Sequence, residues 1–146
     1  MIIKVSASTN PPKTIQELVE YIKDLNTTDV DYIHCDIMDG KFVENKTFDY
    51  QYVKELRKHS NMIFDTHLMI MNPEQLIEEY IDSGSEYITF HIEATNKVLD
   101  IIEKIKRCYY GHIHSADKRY LISKYGDTEL SLVSSDFINF EPIAVM

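Results

Sequence analysis

The sequence predicts an α/β fold: about four βα units of a partial (β/α)8 barrel of the TIM type, followed by an irregular, partly β C-terminal tail. Three observations predict it. Strand-like and helix-like segments alternate strictly from residue 2 to residue 106, which implies parallel strands joined by crossover helices. Within the strands apolar residues alternate with ionisable ones, so one sheet face is apolar and the other gathers His and Asp toward the strands' C-terminal ends. A parallel sheet covered by helices on both sides would be apolar on both faces; in a barrel the polar face is the lumen, and its C-terminal mouth is where chemistry sits. The length, 146 residues, falls short of the roughly 200 or more that a complete barrel needs, so only part of one is expected.

The first strand is placed near 2–8 (IIKVSAS) and its helix near 15–26. Thr14 and Glu17 form a capping box, and Ile15, Leu18, Val19, Ile22 and Leu25 make one apolar stripe. The second strand is 31–38 (DYIHCDIM), with a helix at about 49–59. Ile33, Cys35 and Ile37 share one face of it; Tyr32, His34, Asp36 and Met38 share the other. The third strand is 62–70, where Phe64, Thr66, Leu68 and Ile70 oppose Ile63, Asp65, His67 and Met69. Its helix is placed near 73–82, with Asn72 as N-cap, Pro73 in the first turn and Gly84 as the stop. The fourth strand is 86–92, where Ile88, Phe90 and Ile92 oppose Tyr87, Thr89, His91 and Glu93. The last helix is placed near 96–106, burying Val98, Leu99, Ile101, Ile102 and Ile105. Asp39-Gly40 reads as the tight turn after the second strand.

Formal net charge is −9, of which residues 1–106 carry −8 and residues 107–146 carry −1. No basic patch is present to draw a nucleic-acid backbone or an anionic membrane, so a phosphorylated substrate would need a dedicated anion pocket. The two cysteines, Cys35 and Cys108, have neither metal nor redox spacing, and Cys35 reads as a small core residue. With no signal peptide and no apolar run near 18 residues, a soluble, reducing, cytoplasmic setting is expected.

His34 and Asp36 lie two apart on one strand and therefore point the same way, and His67 holds a similar place on the next strand. Two readings of the three stand side by side. They hold a divalent metal through imidazole nitrogens and a carboxylate oxygen, or they form a hydrogen-bonded cluster without one.

The blocks His34-Cys-Asp36-Ile-Met38-Asp39-Gly40-Lys-Phe42-Val43-Glu-Asn45, Asp65-Thr-His67-Leu68-Met69-Ile-Met-Asn72-Pro73-Glu74 and Thr89-Phe-His91-Ile-Glu93-Ala94 follow three successive strands. In that order and spacing the chain resembles the ribulose-phosphate 3-epimerases over about residues 2–106. Val5-Ser-Ala-Ser8 is a partial match to the family's first strand, after which Thr9-Asn-Pro-Pro12 departs from it. The resemblance implies a metal-assisted acid/base epimerisation at C3 of a ketopentose 5-phosphate, D-ribulose 5-phosphate to D-xylulose 5-phosphate. His34, Asp36 and His67 would be metal ligands, with Asp36 also an acid/base carboxylate. Ser8, His67, Met38 and Met69 would contact substrate, the methionines shielding the intermediate; as bare residues Met38 and Met69 read more simply as ordinary core packing. The metal would be Zn, Fe, Mn, Co or Mg. Asn45, Asp65, His91 and Glu93 would be supports.

Beyond Lys106 the family's second catalytic Asp, which is also its fourth metal ligand, is not found. Nor are its glycine-rich phosphate loops: the glycines are Gly40, Gly84, Gly111 and Gly126. Tyr110-Gly111-His112-Ile-His114 and the later Leu-Val-Ser-x-Asp run resemble the C-terminal end of a calcineurin-like metallophosphoesterase over 109–146, although that family's earlier ligand motifs are not in place. His112 and His114 read more simply as solvated loop residues. Two domains are thus expected, an epimerase-like half barrel over 1–106 and an unrelated tail over 107–146. The expected function is that of an epimerase, impaired in this chain. The alternative is a non-catalytic truncated or fused fragment that at most binds metal, and a phosphoesterase ranks behind both. No nucleic-acid or membrane partner is expected; self-association through open sheet edges is.

Overall fold

A computed structural model describes residues 4–10, 14–105, 107–110 and 124–132. The chain divides into two compact units, Met1–Asn96 and Lys97–Met146. The first contains β1 (Ser6–Ser8), α1 (Ile15–Leu25), β2 (Tyr32–Met38), α2 (Tyr50–Arg57), β3 (Ile63–Met69), α3 (Ile77–Asp82) and β4 (Tyr87–Phe90). Short 3-10 turns follow β3 and β4, at Pro73–Gln75 and Ile92–Ala94. The strands form one sheet in the order β1-β2-β3-β4, every pair parallel. This is the α/β alternation the sequence predicts, consistent with a partial barrel.

The second unit contains α4 (Val98–Ile102), β5 (Arg107–Tyr110), β6 (Lys124–Tyr125) and β7 (Thr128–Leu132). Its sheet runs β5-β7-β6, with β5 parallel and β6 antiparallel to β7. Gly126, at φ +55, turns the chain between β6 and β7. The buried hydroxyl of Thr128 lies 2.6 Å from the carbonyl oxygens of both Ile102 and Ile105.

Local chemistry sets the elements. Thr14 Oγ1 accepts from the Glu17 N–H at 3.2 Å and donates to Glu17 Oε2 at 2.8 Å, so the capping box forms. Leu18, Ile22 and Leu25 of α1 are buried, and full burial of such a side chain contributes roughly 1.5–3 kcal/mol. Asp49 caps α2 by accepting from the Gln51 N–H at 2.9 Å. β2 and β3 alternate half-buried and buried residues along their whole lengths, with Ile33, Cys35, Ile37, Phe64, Thr66 and Leu68 on the buried face.

Five expectations are corrected. Among the described residues the first strand is only Ser6–Ser8, although the Val5 carbonyl still accepts from the N–H groups of Asp31 and Tyr32. The expected helix over 73–82 is a 3-10 turn followed by α3, and Asn72 does not cap it: φ +53 places Asn72 in the left-handed region, and its N–H donates to the Ala94 carbonyl at 2.9 Å. That bond ties the chain leaving β3 to the chain leaving β4. β4 ends at Phe90, so Ile92 is exposed in the following turn, and α4 is five residues long with Leu99 half exposed.

Candidate functional site

The β2–β3 register builds the site. It sets His34 beside Asp65, Asp36 beside His67 and Met38 beside Met69. Partners in a parallel ladder project to the same face, and residues two apart on a strand do too, so all six share one face. Adjacent strands lie about 4.8 Å apart, which brings side chains of this length into direct reach.

His34 Nε2 is 3.2 Å from Asp36 Oδ1, and His67 Nδ1 is 3.3 Å from the same oxygen. One ligand atom from each of the three lies within 4.8 Å of the others. Donors held about 2.1 Å from a tetrahedral ion are about 3.4 Å apart, so the two separations to Asp36 Oδ1 already match. The donor chemistry, two imidazoles and a carboxylate, suits a divalent ion of the Zn, Fe, Mn or Co kind. The three side chains are about a quarter exposed, open to solvent on one side.

His34 is oriented from behind. Its Nδ1 lies 2.8 Å from Asp65 Oδ2, which leaves Nε2 toward Asp36. A carboxylate behind a ligating imidazole is the usual arrangement around a metal and raises the basicity of the ring. The hydrogen bond to Asp65 raises His34 above its ordinary value; burial opposes this, and the charges of Asp65 and Asp36 add to the rise. Ser8 Oγ reaches Asp36 Oδ2 at 3.5 Å, the long limit of a hydrogen bond, and accepts from the Asn10 N–H at 3.1 Å.

Loops complete the surroundings. Thr47 Oγ1 donates to the Asp36 carbonyl and accepts from the Met38 N–H, each at 2.8 Å, which pins the end of β2. Asp39 Oδ1 accepts from the N–H groups of Lys41 and Phe42, and its Oδ2 accepts from that of Met71, so one carboxylate joins the loops after β2 and β3. Burial would raise Asp39, but these N–H groups and the Lys41 charge outweigh it and hold the carboxyl below its ordinary value. Gly40, at φ +73, makes the turn. His67 Nε2 lies 2.9 Å from His91 Nε2.

The expected site residues Ser8, His34, Asp36, Met38, His67 and Met69 therefore come together on one face, and Asp65 and His91 join them. Asn45 and Glu93 are exposed. Thr47 was not singled out in the sequence; a lone threonine in a loop carries no signal of the carbonyl it will hold. His112 and His114 lie outside the described residues.

Residues 4–113 match the family model described as the ribulose-phosphate 3 epimerase family. The chain is similar to ribulose-phosphate 3-epimerase of Treponema pallidum, 40% identical over 75 residues that cover 51% of this chain and 34% of that protein. It is similar to ribulose-phosphate 3-epimerase of Chlamydia pneumoniae, 36% identical over 86 residues, 59% of this chain and 38% of that protein. A third relative is the cytoplasmic isoform of Oryza sativa subsp. japonica, 40% identical over 77 residues, 52% of this chain and 34% of that protein. The chain thus spans little more than a third of the length of the relatives it matches. The metallophosphoesterase-like tail finds no support: the family match runs to residue 113, through the Gly111-His112 pair. Gly-His-x-His is short, and its meaning depends on distant ligands that this chain does not carry in place.

Proposed function

From the membership of this chain in the ribulose-phosphate 3-epimerase family we propose that it carries the metal centre and one acid/base carboxylate for C3 epimerisation of a ketopentose 5-phosphate, D-ribulose 5-phosphate to D-xylulose 5-phosphate. The observation that supports this best is the His34–Asp36–His67 group, with ligand atoms within 4.8 Å of one another and Asp65 behind His34. His34, Asp36 and His67 would hold the ion. A divalent cation there supplies positive charge for the negative charge that develops on the substrate oxygens. Asp36, on the polar face at the sheet's C-terminal end, exchanges the proton at the carbon alpha to the carbonyl. Ser8 orients Asp36 and meets the substrate; Met38 and Met69 flank the carboxylate and keep water from the deprotonated carbon.

Inversion needs a carboxylate on each face of the substrate, and among the described residues Asp36 is the one we assign to it. Turnover by the chain alone is therefore impaired: 1–106 serves as an epimerase-like half barrel joined to 107–146. The setting is cytoplasmic, in line with the name of the Oryza relative. Zinc titration of the purified chain tests the centre. His34→Ala and Asp36→Asn should each abolish binding, and a wild-type chain that takes no metal ends the reading. Assaying C3 epimerisation tests the rest. The chain alone should be nearly inactive, since each acid/base group is worth about 10²–10⁴-fold. Extending it with family-like strands after Ile105 should restore turnover that Asp36→Asn removes. Metal binding without turnover in the extended protein would mark a non-catalytic, metal-binding fragment instead.

A further inference from the structure

The resemblance makes His91 a support without saying of what. His91 follows β4 and presents Nε2 to His67 Nε2 at 2.9 Å, with the two rings 5.0 Å apart. Its backbone is fixed, because the His91 carbonyl accepts from the Ala94 N–H at 3.0 Å while the Ala94 carbonyl accepts from Asn72. Its ring is fixed too. Phe42 packs 5.0 Å from it, and the Phe42 N–H is held by Asp39 at 2.9 Å. A residue anchored this way through two loops has a definite orientation toward His67.

Two nitrogens facing each other at 2.9 Å require that one carry a proton and the other not. His67 faces the Asp36 carboxylate with Nδ1, at 3.3 Å. Without a cation, Nδ1–H donates to that carboxylate, so Nε2 of His67 is the acceptor and His91 Nε2–H the donor. Ligation needs the opposite. Nδ1 must present its lone pair, so the His67 proton sits on Nε2, and the group opposite must accept it. A neutral imidazole can take either part by moving its own proton from Nε2 to Nδ1. In this exchange each ring loses one N–H and gains another, so no net proton is taken up or released. Lysine could only donate there, and a carboxylate could only accept.

Resting on the metal reading above, we infer that His91 is a positioning residue: it takes the Nε2–H of His67 and so holds His67 in the tautomer that offers Nδ1 to the cation. It touches neither the cation nor the substrate. Partners behind a ligating imidazole change metal affinity by about 10- to 100-fold.

The test uses the full chain and zinc alone. Zinc affinity is measured by competition with a chromophoric chelator, and imidazole tautomers by long-range ¹H–¹⁵N correlation. Zinc should move His67 to the Nε2–H form and His91 to the Nδ1–H form in the unmutated chain. His91→Leu should weaken zinc binding by about 10- to 100-fold. His91→Gln, whose amide oxygen can accept the same proton, should recover most of the loss, which a residue that merely fills space would not require. If His91→Leu matches the unmutated chain in affinity and in the His67 tautomer, the inference fails and the metal site stands. If the unmutated chain takes no zinc, the metal reading fails and the inference with it. Should His91→Leu not fold, the unmutated chain still decides: a His91 that keeps Nε2–H with zinc bound overturns the inference.

Discussion

One oxygen, Asp36 Oδ1, gathers two imidazoles from different strands, and each imidazole is backed by another residue, Asp65 or His91. The backing of His34 can be tested directly. Its pKa is raised above 6.5, first by the hydrogen bond to Asp65, so the pair stabilises the metal-free chain fully below pH 6.5 and loses that contribution as pH rises through the raised value. Asp65→Asn should bring the His34 NMR titration midpoint down toward 6.5 and weaken zinc binding by about 10- to 100-fold; a midpoint that does not move would remove Asp65 from this role. A second residue-scale prediction concerns Cys35. It is 2% exposed, and burial pushes its thiol up to about 12. In a Cys108→Ser variant, Ellman's reagent should find no thiol until denaturant is added, and fast labelling of the native chain would contradict the burial. The shared face of His34, Asp36 and His67 was legible in the sequence because a period of two fixes it whatever the tertiary detail, while their reading as metal ligands came from the resemblance. The roles of Thr47 and His91 were not, since they depend on where loops bring a donor or an acceptor, and no spacing rule encodes that.

Elements with strong periodicity were legible for the same reason. β2 and β3 lie within a residue of their expected bounds, and α1 within one residue at its end. What escaped is what tertiary bonds decide: Asn72 gives its N–H to Ala94, and the expected last helix shrinks to five residues. Gly84 shows a tertiary constraint acting through a turn. It was legible as a helix stop, and φ +95 agrees, but a Cβ there would meet Arg57 Cγ at 2.9 Å. Arg57 cannot easily yield. It donates to the Met62 carbonyl and to Glu86, lies over the Phe64 ring, and Glu86 in turn accepts from the Phe64 N–H at 2.8 Å. Gly84→Ala should therefore destabilise the chain by roughly 1–3 kcal/mol, lowering the urea midpoint. Gly126→Ala also takes on a positive φ but meets nothing within 4 Å, so it should cost less. Equal midpoints for the two would show that Arg57 gives way freely.

For the molecule as a whole, the open question is what the edges of the four-stranded sheet do. Among the described residues β1 pairs only with β2, and β4 only with β3. β4 reads Tyr-Ile-Thr-Phe, β-branched and aromatic, with no Lys or Pro to discourage another strand. The purified chain should therefore self-associate at tens of micromolar, and light scattering that finds a stable species of 17.1 kDa would refute this. The parallel register described above also bears on how this sequence can change over time. Loop positions that carry none of the hydrogen bonds described above, such as the exposed Glu44 and Asn45, can gain a residue at little cost, because a longer loop costs only slightly more entropy. A single codon inserted between Tyr32 and His34 is another matter: if the start of β2 holds its place, the shift turns His34 and Asp36 into the core and Cys35 outward. Mutational tolerance should therefore be sharply uneven along this stretch, with loop insertions surviving where one-residue strand insertions abolish metal binding and folding together.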